Sequence, residues 1–231
     1  MKRFYTQADV LESGEGWQVV LDGRPVRTPA RALLILPTGT MARAIAGEWQ
    51  SQGETLDPTS MTATGFANAA IDQVAPHRRD FAAGIARYAE SDLLCYRAEG
   101  PTPLVARQQA LWEPWLAWAR SRYDVAFRVT QGIIHVTQPS ETLARLSAAV
   151  AAYDDFTLAG LSTIVSLTGS LVLGLAAIDA KAGADIIWEA AELDAIWQAE
   201  QWGHDAQAQQ QADAHRAQFD AAVSFCRIVC A

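Results

Sequence analysis

Side chains that could do chemistry are scattered along this sequence and do not form catalytic motifs. Four histidines lie far apart, at His77, His135, His204 and His215. None belongs to a His-Glu-x-x-His zinc motif, and no Gly-x-Ser-x-Gly nucleophile motif occurs. Residues 169–174 have the glycine spacing of a phosphate-binding loop, but Leu175 and Ala176 stand where that loop needs Lys and Ser or Thr. The sequence therefore predicts no catalytic residue and no cofactor.

The cysteines do not indicate a metal site or a disulfide framework. There are three, Cys95, Cys226 and Cys230, an odd number in a chain of 231 residues, which favours buried thiols in a reducing compartment. Cys226 and Cys230 lie four residues apart on a predicted helix, but no second pair or histidine cluster completes a tetrahedral set. We predict that no metal is bound.

The residues best suited to binding lie near the C-terminal end. Residues 182–231 carry eight acids and two bases, so their net charge of -6 is most of the chain's -8. Within this segment, the stretch 194–205 combines two tryptophans with a row of acids, which suits docking onto another protein better than turnover of a small molecule. A stretch of Gln and Ala follows at 206–214, with little apolar surface to pack by itself. The predicted partner-binding residues are Asp194, Trp197, Glu200, Trp202 and Asp205.

A charged helix face is often only solvated, so this acidic segment has a simpler interpretation as well. A buried stripe is predicted at helical spacing, formed by Ile186, Ala190, Leu193 and Trp197. Asp194 follows this stripe directly, and we expect it to be partly desolvated, where a charge can specify a partner.

Composition narrows the class of protein. A hydrophobic content of 50% with 19% charged residues excludes a disordered chain, and a pI near 5.0 argues against nucleic acid and anionic membranes. The uncharged stretch 156–178 is long enough to span a bilayer. It nevertheless contains six hydroxyl residues, three glycines and a break at 168–170, which favour two buried core helices over a membrane span.

The pattern of elements predicts an α+β fold. Alternating residues at 10–11, 17–21, 26–28 and 32–36 indicate a small antiparallel meander, with a type I′ hairpin at Asp22-Gly23. Thr38 is placed to cap a helix, and the helical period dominates after that point, apart from one or two strands expected within 127–136. We predict a β-containing domain over 1–70 and a larger all-α domain over 71–231.

Several short runs, in order along nearly the whole chain, carry a resemblance to one family. These runs are Arg3-Phe4-Tyr5 with Trp17, residues 21–26, Thr28-Pro29-Ala30, Ala44-Ile45-Ala46 with Glu48-Trp49, Met61, Ala70-Ile71-Asp72, residues 92–98, Gln138-Pro139, Gly169-Ser170 with Gly174-Leu175-Ala176, and Gln198 with Trp202-Gly203. The run at 92–98 and the Trp202-Gly203 pair are the specific ones. Together they resemble the assembly chaperones of the F(1) sector of ATP synthase.

The resemblance implies a bacterial protein that binds the unassembled alpha subunit before it joins beta, without ATP hydrolysis. We expect a monomer in the cytoplasm that is not an enzyme, shields the beta-facing surface of alpha and releases alpha to beta. It also implies an important acid in the C-terminal helical region, for which Asp194, Glu200 and Asp205 are the candidates, in that order. His204 and Gln207 replace acids that are common in the family, which disfavours a role at those two positions.

Two alternatives remain open from the sequence. The first is an enzyme with a small-molecule site in an interdomain cleft, supported by the charged cluster His77-Arg78-Arg79-Asp80, although such a cluster is usually an exposed helix start. The second is a membrane-associated protein that uses residues 156–178.

Overall fold

A computed structural model describes residues 1–179, 183–203 and 205–229. Its strands are β1 (Ala8–Ser13), β2 (Gly16–Leu21), β3 (Arg24–Pro25), β4 (Ile35–Leu36), β5 (Tyr96–Arg97) and β6 (Thr130–Gln131). Its α-helices are α1 (Gly39–Gln50), α2 (Thr62–Ala69), α3 (Arg78–Ala86), α4 (Thr102–Tyr123), α5 (Ser140–Ala151), α6 (Asp155–Thr168), α7 (Leu171–Ile178), α8 (Ala184–Ala191), α9 (Leu193–Trp202) and α10 (Ala206–Val229). A small N-terminal antiparallel sheet followed by a larger helical region confirms the predicted α+β class.

The chain divides into two compact units. The first contains Met1–Arg78, Asp154–Gly160 and the chain from Ala221 onward, and the second contains Arg79–Tyr153 and Leu161–Asp220. This division differs from the predicted domains, 1–70 and 71–231, because the first unit recruits two short pieces from late in the sequence. Sequence patterns are local and carry no signal for such recruitment.

The sheet of the first unit forms as its alternation and turn residues predict. β1 pairs antiparallel with β2, from Ala8 opposite Leu21 to Ser13 opposite Gly16. Asp22 and Gly23 both have positive φ, +47° and +80°, as a type I′ turn between β2 and β3 requires. β4 pairs with the other end of β2.

The predicted strand at 26–28 is only an isolated bridge between Arg27 and Leu33. Asp72 explains the difference, because its carboxylate accepts from the Thr28 hydroxyl at 2.7 Å and from the Ala30 amide at 3.0 Å. These bonds hold the chain in a turn where the alternation predicts a strand.

The core of the first unit lies between the sheet and α1. Thr38 caps α1 by accepting from the Met41 amide at 3.2 Å, as predicted, and Met41 and Ile45 are fully buried against the sheet. The end of α10 completes this core, because Phe225 is buried and its ring stacks on Phe66 with centroids 5.1 Å apart. Burial of Phe225 is the physical reason that the C-terminal residues belong to the first unit.

Gly160 permits close contact between α6 and α10 in the first unit. A Cβ atom added at this position would lie 2.4 Å from the Cys226 Sγ and 3.3 Å from the Ala222 carbonyl oxygen. In the second unit, a Cβ at Gly174 would lie 2.4 Å from Val165 Cγ2, which confirms that the small residues predicted there bring two helices together. Side chains at either position would overpack the contact.

The uncharged stretch forms the helical hairpin that the break predicts. α6 and α7 meet at Gly169, whose φ is +63°, and the Ser170 hydroxyl accepts from the Leu173 amide at 3.1 Å to start α7. Throughout the described ranges, no helix is both long and apolar enough to cross a membrane.

Residues 127–136 do not form the strands expected there, apart from the two residues of β6. The side chain of Gln138 replaces the missing strand partner, since it accepts from the Arg128 amide and donates to the Arg128 carbonyl, both at 2.9 Å. Gly132, with φ +74°, then turns the chain away from the parallel pairing of β6 with β5.

A buried carboxylate, Asp92, joins the helical turn Leu93–Cys95, which precedes β5, to the start of α7 within the second unit. It is fully buried and accepts from the Ser170 hydroxyl at 2.7 Å, the Val172 amide at 3.0 Å and the Leu94 amide at 3.1 Å. Burial raises the pKa of Asp92 to about 6, although these hydrogen bonds act in the opposite direction.

We expect Gly160→Val to lower the free energy of unfolding by about 1–3 kcal/mol, because the added methyl groups overlap Cys226 and the backbone of α10. Urea unfolding measures the change. Gly65→Ala is the control, because Gly65 is an exposed position of α2 with no atom within 4 Å of the added Cβ. It should be neutral or stabilising by up to about 1 kcal/mol. Equal stability of Gly160→Val and the natural protein would contradict the contact.

We expect Asp92→Asn to reduce the pH dependence of stability. The carboxyl has a folded pKa of about 6 against an ordinary value of 3.8, so the folded state binds its proton more tightly. Its contribution is therefore full below about pH 4 and is lost as pH rises through about 6, by a total on the order of 3 kcal/mol.

Urea unfolding between pH 4 and pH 7 tests this expectation. The natural protein should lose stability relative to Asp92→Asn as the pH rises, whereas Asp9→Asn, at an exposed position of β1, should follow the natural protein. If the difference in free energy of unfolding between the natural protein and Asp92→Asn is constant across this range, the expectation is contradicted.

Candidate functional site

The acidic segment forms two helices separated by a bend, and the bend corrects the predicted buried stripe. α8 ends at Ala191, α9 begins at Leu193, and Ile187, Ala190 and Leu193 are fully buried. Ile186 was expected in the stripe but is 51% exposed. The prediction assumed one continuous helix, and the bend at Glu192 changes which side chains share a face.

Asp194 lies in the first turn of α9 and is half-buried, as expected from its place beside the apolar stripe. Its Oδ1 accepts a hydrogen bond from the Nε2 of Gln108 on α4 at 2.8 Å. Gln108 is itself 1% exposed, and its Oε1 accepts from the Ala98 amide at 2.8 Å. Since both ends of this amide are engaged, Asp194 is held in one orientation.

The support behind Asp194 extends to two further buried side chains. Arg97 donates from Nη1 to the backbone carbonyl oxygen of Gln108 at 2.7 Å, and its guanidinium lies 5.1 Å from the centroid of the Trp112 ring. Trp112 is fully buried and donates from Nε1 to the Ala190 carbonyl oxygen at 2.7 Å. The end of α8 and the start of α9 are thus both fastened to α4.

Glu200, two turns further along α9, is exposed and forms an ion pair with Arg107 of α4. The Nη1 atom of Arg107 lies 2.9 Å from Oε1 and 2.8 Å from Oε2 of Glu200. Exposed pairs of this kind contribute at most about 1 kcal/mol to stability, so a partner can displace Arg107 at little cost.

Asp205 has a local structural role. Its Oδ1 accepts from the Gln207 amide at 2.8 Å, which caps the first turn of α10. A negative charge at a helix N-terminus also interacts favourably with the helix dipole. The resemblance to the family disfavours a role for His204, and this residue lies outside the described residues.

The two tryptophans of α9 differ in exposure. Trp197 is half-buried, whereas Trp202 is 79% exposed at the last residue of the helix. Gly203 ends α9 with φ +89°, and its amide donates to the Ala199 carbonyl at 2.9 Å. Residues 206–214 then form the start of α10, and within them only Ala212 is even partly buried. We call Asp194, Trp197, Glu200, Trp202 and Asp205 with residues 206–214 the acidic docking surface.

Sequence reasoning missed the two residues of α4 that hold the acids, Arg107 and Gln108. Gln108 did carry a signal, because it lies four and eight residues before Trp112 and Leu116, which are buried on one helix face. A polar residue at an apolar-face position indicates a buried hydrogen bond. Its partner, 86 residues away, could not be identified from spacing.

The other candidate residues for chemistry are the cysteines, the histidines and the charged cluster at 77–80. Among the described residues, no group of three His, Cys, Asp or Glu side chains could hold a metal ion. Cys226 is buried, and Cys230 lies outside the described part of the chain. Within the charged cluster at 77–80, Arg78 forms an ion pair with Asp155 at 2.7 Å.

Comparison with known proteins agrees with the resemblance in sequence. The family model described as ATP12 chaperone protein matches residues 2–120. The crystal structure of Atp12 from Paracoccus denitrificans has 39% identity and a TM-score of 0.96, and the match covers 99% of this chain and 98% of that one.

Two further structures are similar over nearly the whole of this chain. A variant of P. denitrificans Atp12p with lysine in place of an aspartate has 39% identity and a TM-score of 0.96, covering 99% of this chain and 97% of that one. A candidate chaperone from Agrobacterium tumefaciens has 38% identity and a TM-score of 0.93, covering 98% and 85%. This protein therefore belongs to the ATP12 chaperone family.

Proposed function

We propose that this protein is an assembly chaperone of the F(1) ATP synthase in the bacterial cytoplasm. It binds the unassembled alpha subunit through the acidic docking surface, shields the beta-facing surface of alpha from aggregation, and releases alpha to the beta subunit. The observation that carries the proposal is that Trp202 is 79% exposed. It lies at the end of α9, whose two acids, Asp194 and Glu200, are held in place by α4.

Exposed tryptophan is a costly feature for a protein that works alone. A large aromatic side chain that stays in water does not contribute the favourable free energy that burial of its apolar area would give. Tryptophan is also enriched among the residues that dominate binding at protein interfaces. Residues 206–214 beside it form a helix almost without tertiary contacts. Isolated helices of this length are marginal in water, which supports a partner that covers this part of α10.

The orientation of Asp194 supports its first rank among the candidate acids. A carboxylate fixed by a buried amide loses little conformational freedom when it meets a cationic group of a partner. Glu200 must first leave Arg107, and Asp205 already caps α10, so both contribute less. The net charge of the segment from 182 to 231, -6, favours a partner surface that is basic near its apolar centre.

The requirement to release the client explains why the surface is mixed. Interfaces between obligate subunits are apolar and often bury more than about 2,000 Å², so a lone alpha subunit aggregates. A chaperone must cover this surface and still be displaced by beta. A few aromatic anchors with steering charges achieve this, because charges at the rim of an interface mainly set the association rate and the selectivity.

The family membership favours this proposal over the enzyme alternative, as does the pairing of Arg78 with Asp155 within the cluster that prompted that alternative. Thermal-shift screening with nucleotides and metabolites discriminates the two, since a strong shift with a small molecule would favour an enzyme.

We expect Asp194→Lys to abolish co-purification of the alpha subunit while the protein remains folded. The change places a cation where the proposed partner is basic, and loss of a well-positioned charge pair costs about 2–5 kcal/mol, which is roughly 30-fold or more in affinity. A pull-down from lysate measures binding, and circular dichroism checks the fold.

Asp9→Lys, which makes the same charge change at an exposed position of β1, is the matched control and should bind alpha normally. Unchanged binding by Asp194→Lys would remove Asp194 from the proposed interface. Addition of excess beta subunit to the natural complex should release alpha, and persistence of the complex would refute the proposed direction of transfer.

Trp202→Ser should weaken binding to alpha by roughly 30-fold, about 2 kcal/mol, because an interface anchor is lost. Its thermal midpoint should not change, since this side chain is largely in solvent. Phe4→Ala, at a position 63% exposed in the first unit, is the control and should leave the affinity unchanged. Isothermal titration with purified alpha gives both affinities, and equal values for Trp202→Ser and the natural protein would exclude an anchoring role.

A further inference from the structure

A groove in the second unit is not used by the acidic docking surface. It has a volume of about 610 Å³ and lies between one face of α4 and strand β6. Its lining residues are Arg97, Val105, Gln109, Val129, Thr130 and Gln131.

Arg97 gives this groove a buried cation with unused donors. The residue is 6% exposed, and in the described part of the chain its Nε and NH2 atoms have no hydrogen-bond acceptor. The Glu113 carboxylate lies 3.6 Å from NH2 but also accepts from Arg120 at 2.6 Å. Two guanidinium groups therefore share one carboxylate. Buried donors without an acceptor are costly, which points to an acceptor supplied from outside.

Strand β6 gives the groove an edge suited to an extended chain. β6 pairs with β5 along one edge, and among the described residues no strand pairs with its other edge. The chain around it exposes three large apolar side chains, with Ile133 at 96%, Ile134 at 80% and Val129 at 42%. Open strand edges flanked by apolar side chains accept a further strand, since backbone groups supply hydrogen bonds and the side chains supply specificity.

We propose that this groove binds an extended segment of the client polypeptide that carries a carboxylate. The segment lies along the open edge of β6, its apolar side chains contact Val129, Ile133 and Ile134, and its carboxylate accepts from Arg97. The proposal rests on the proposed function, because the client it assigns is the alpha subunit.

Helix α4 connects this groove to the acidic docking surface. Val105 and Gln109 line the groove, while the intervening Arg107 and Gln108 hold Glu200 and Asp194. One turn of one helix thus contributes to both sites, so a client on the acidic docking surface is close enough to reach the groove. Arg97 and the acidic docking surface have opposite charges, so the proposed client has a basic region and an extended segment with a carboxylate.

The first test replaces the exposed isoleucines. We expect Ile133→Ser with Ile134→Ser to weaken binding of the purified alpha subunit by about 10-fold or more, because two apolar contacts are lost. Leu11→Ser, at a position 54% exposed in the first unit, is the matched control and should bind as tightly as the natural protein. Hydrogen exchange of residues 129–134 should slow when alpha binds to the natural protein.

The second test addresses the carboxylate. Glu113→Gln removes the competing acid from beside Arg97, and we expect it to tighten binding of alpha by about 3-fold to 10-fold. A role of Glu113 in structure alone would weaken binding or leave it unchanged, and either result would overturn the pairing of Arg97 with a client carboxylate.

The two proposals fail in different ways. If the natural protein does not bind alpha, the proposed function is wrong and the groove loses its assigned client. If the natural protein binds alpha but the double isoleucine variant binds equally well, or residues 129–134 exchange at an unchanged rate, the groove proposal alone is wrong.

Discussion

The Gln108 side chain is the contact on which the arrangement of the acidic helices depends. It is one buried amide that accepts from the backbone after β5 and donates to Asp194 at the start of α9, both at 2.8 Å. Loss of this amide would leave the Ala98 amide and the Asp194 carboxylate without their partner, and unpaired buried polar groups cost more than a hydrogen bond contributes. Gln108 therefore both stabilises the second unit and sets the orientation of the Asp194 carboxylate.

Polar bonds of this kind recur wherever the chain departs from regular structure. Asp72 holds the turn at 28–30, Asp92 fastens the start of α7, and Gln138 substitutes for a strand beside Arg128. In each case a side chain bonds to backbone groups that have no partner within a regular helix or strand. The regular helices pack mainly through their apolar faces, whereas these irregular segments depend on a particular residue at a particular place.

This distinction explains what could be predicted from the sequence. The hairpin at Asp22-Gly23, the cap at Thr38 and the helical break at 168–170 follow from residues close together in the chain, and all three are present. The candidate acids were also identifiable, because their charge and their tryptophan neighbours are visible locally. Their partners on α4 were not, since those contacts join residues 86 and 93 positions apart. The bend at Glu192 escaped prediction because it contains neither Gly nor Pro.

The sparse packing of residues 206–214 would limit the time for which a client stays bound under the proposed function. A helix with so few tertiary contacts unwinds readily, and a partner that requires it to be wound must supply the lost chain entropy, about 1–2 kcal/mol for each residue that is fixed. Part of the contact energy is thereby consumed in ordering the chaperone itself, and dissociation is correspondingly faster. Under the proposed function, the alanines and glutamines of this stretch therefore shorten the time for which a client stays bound.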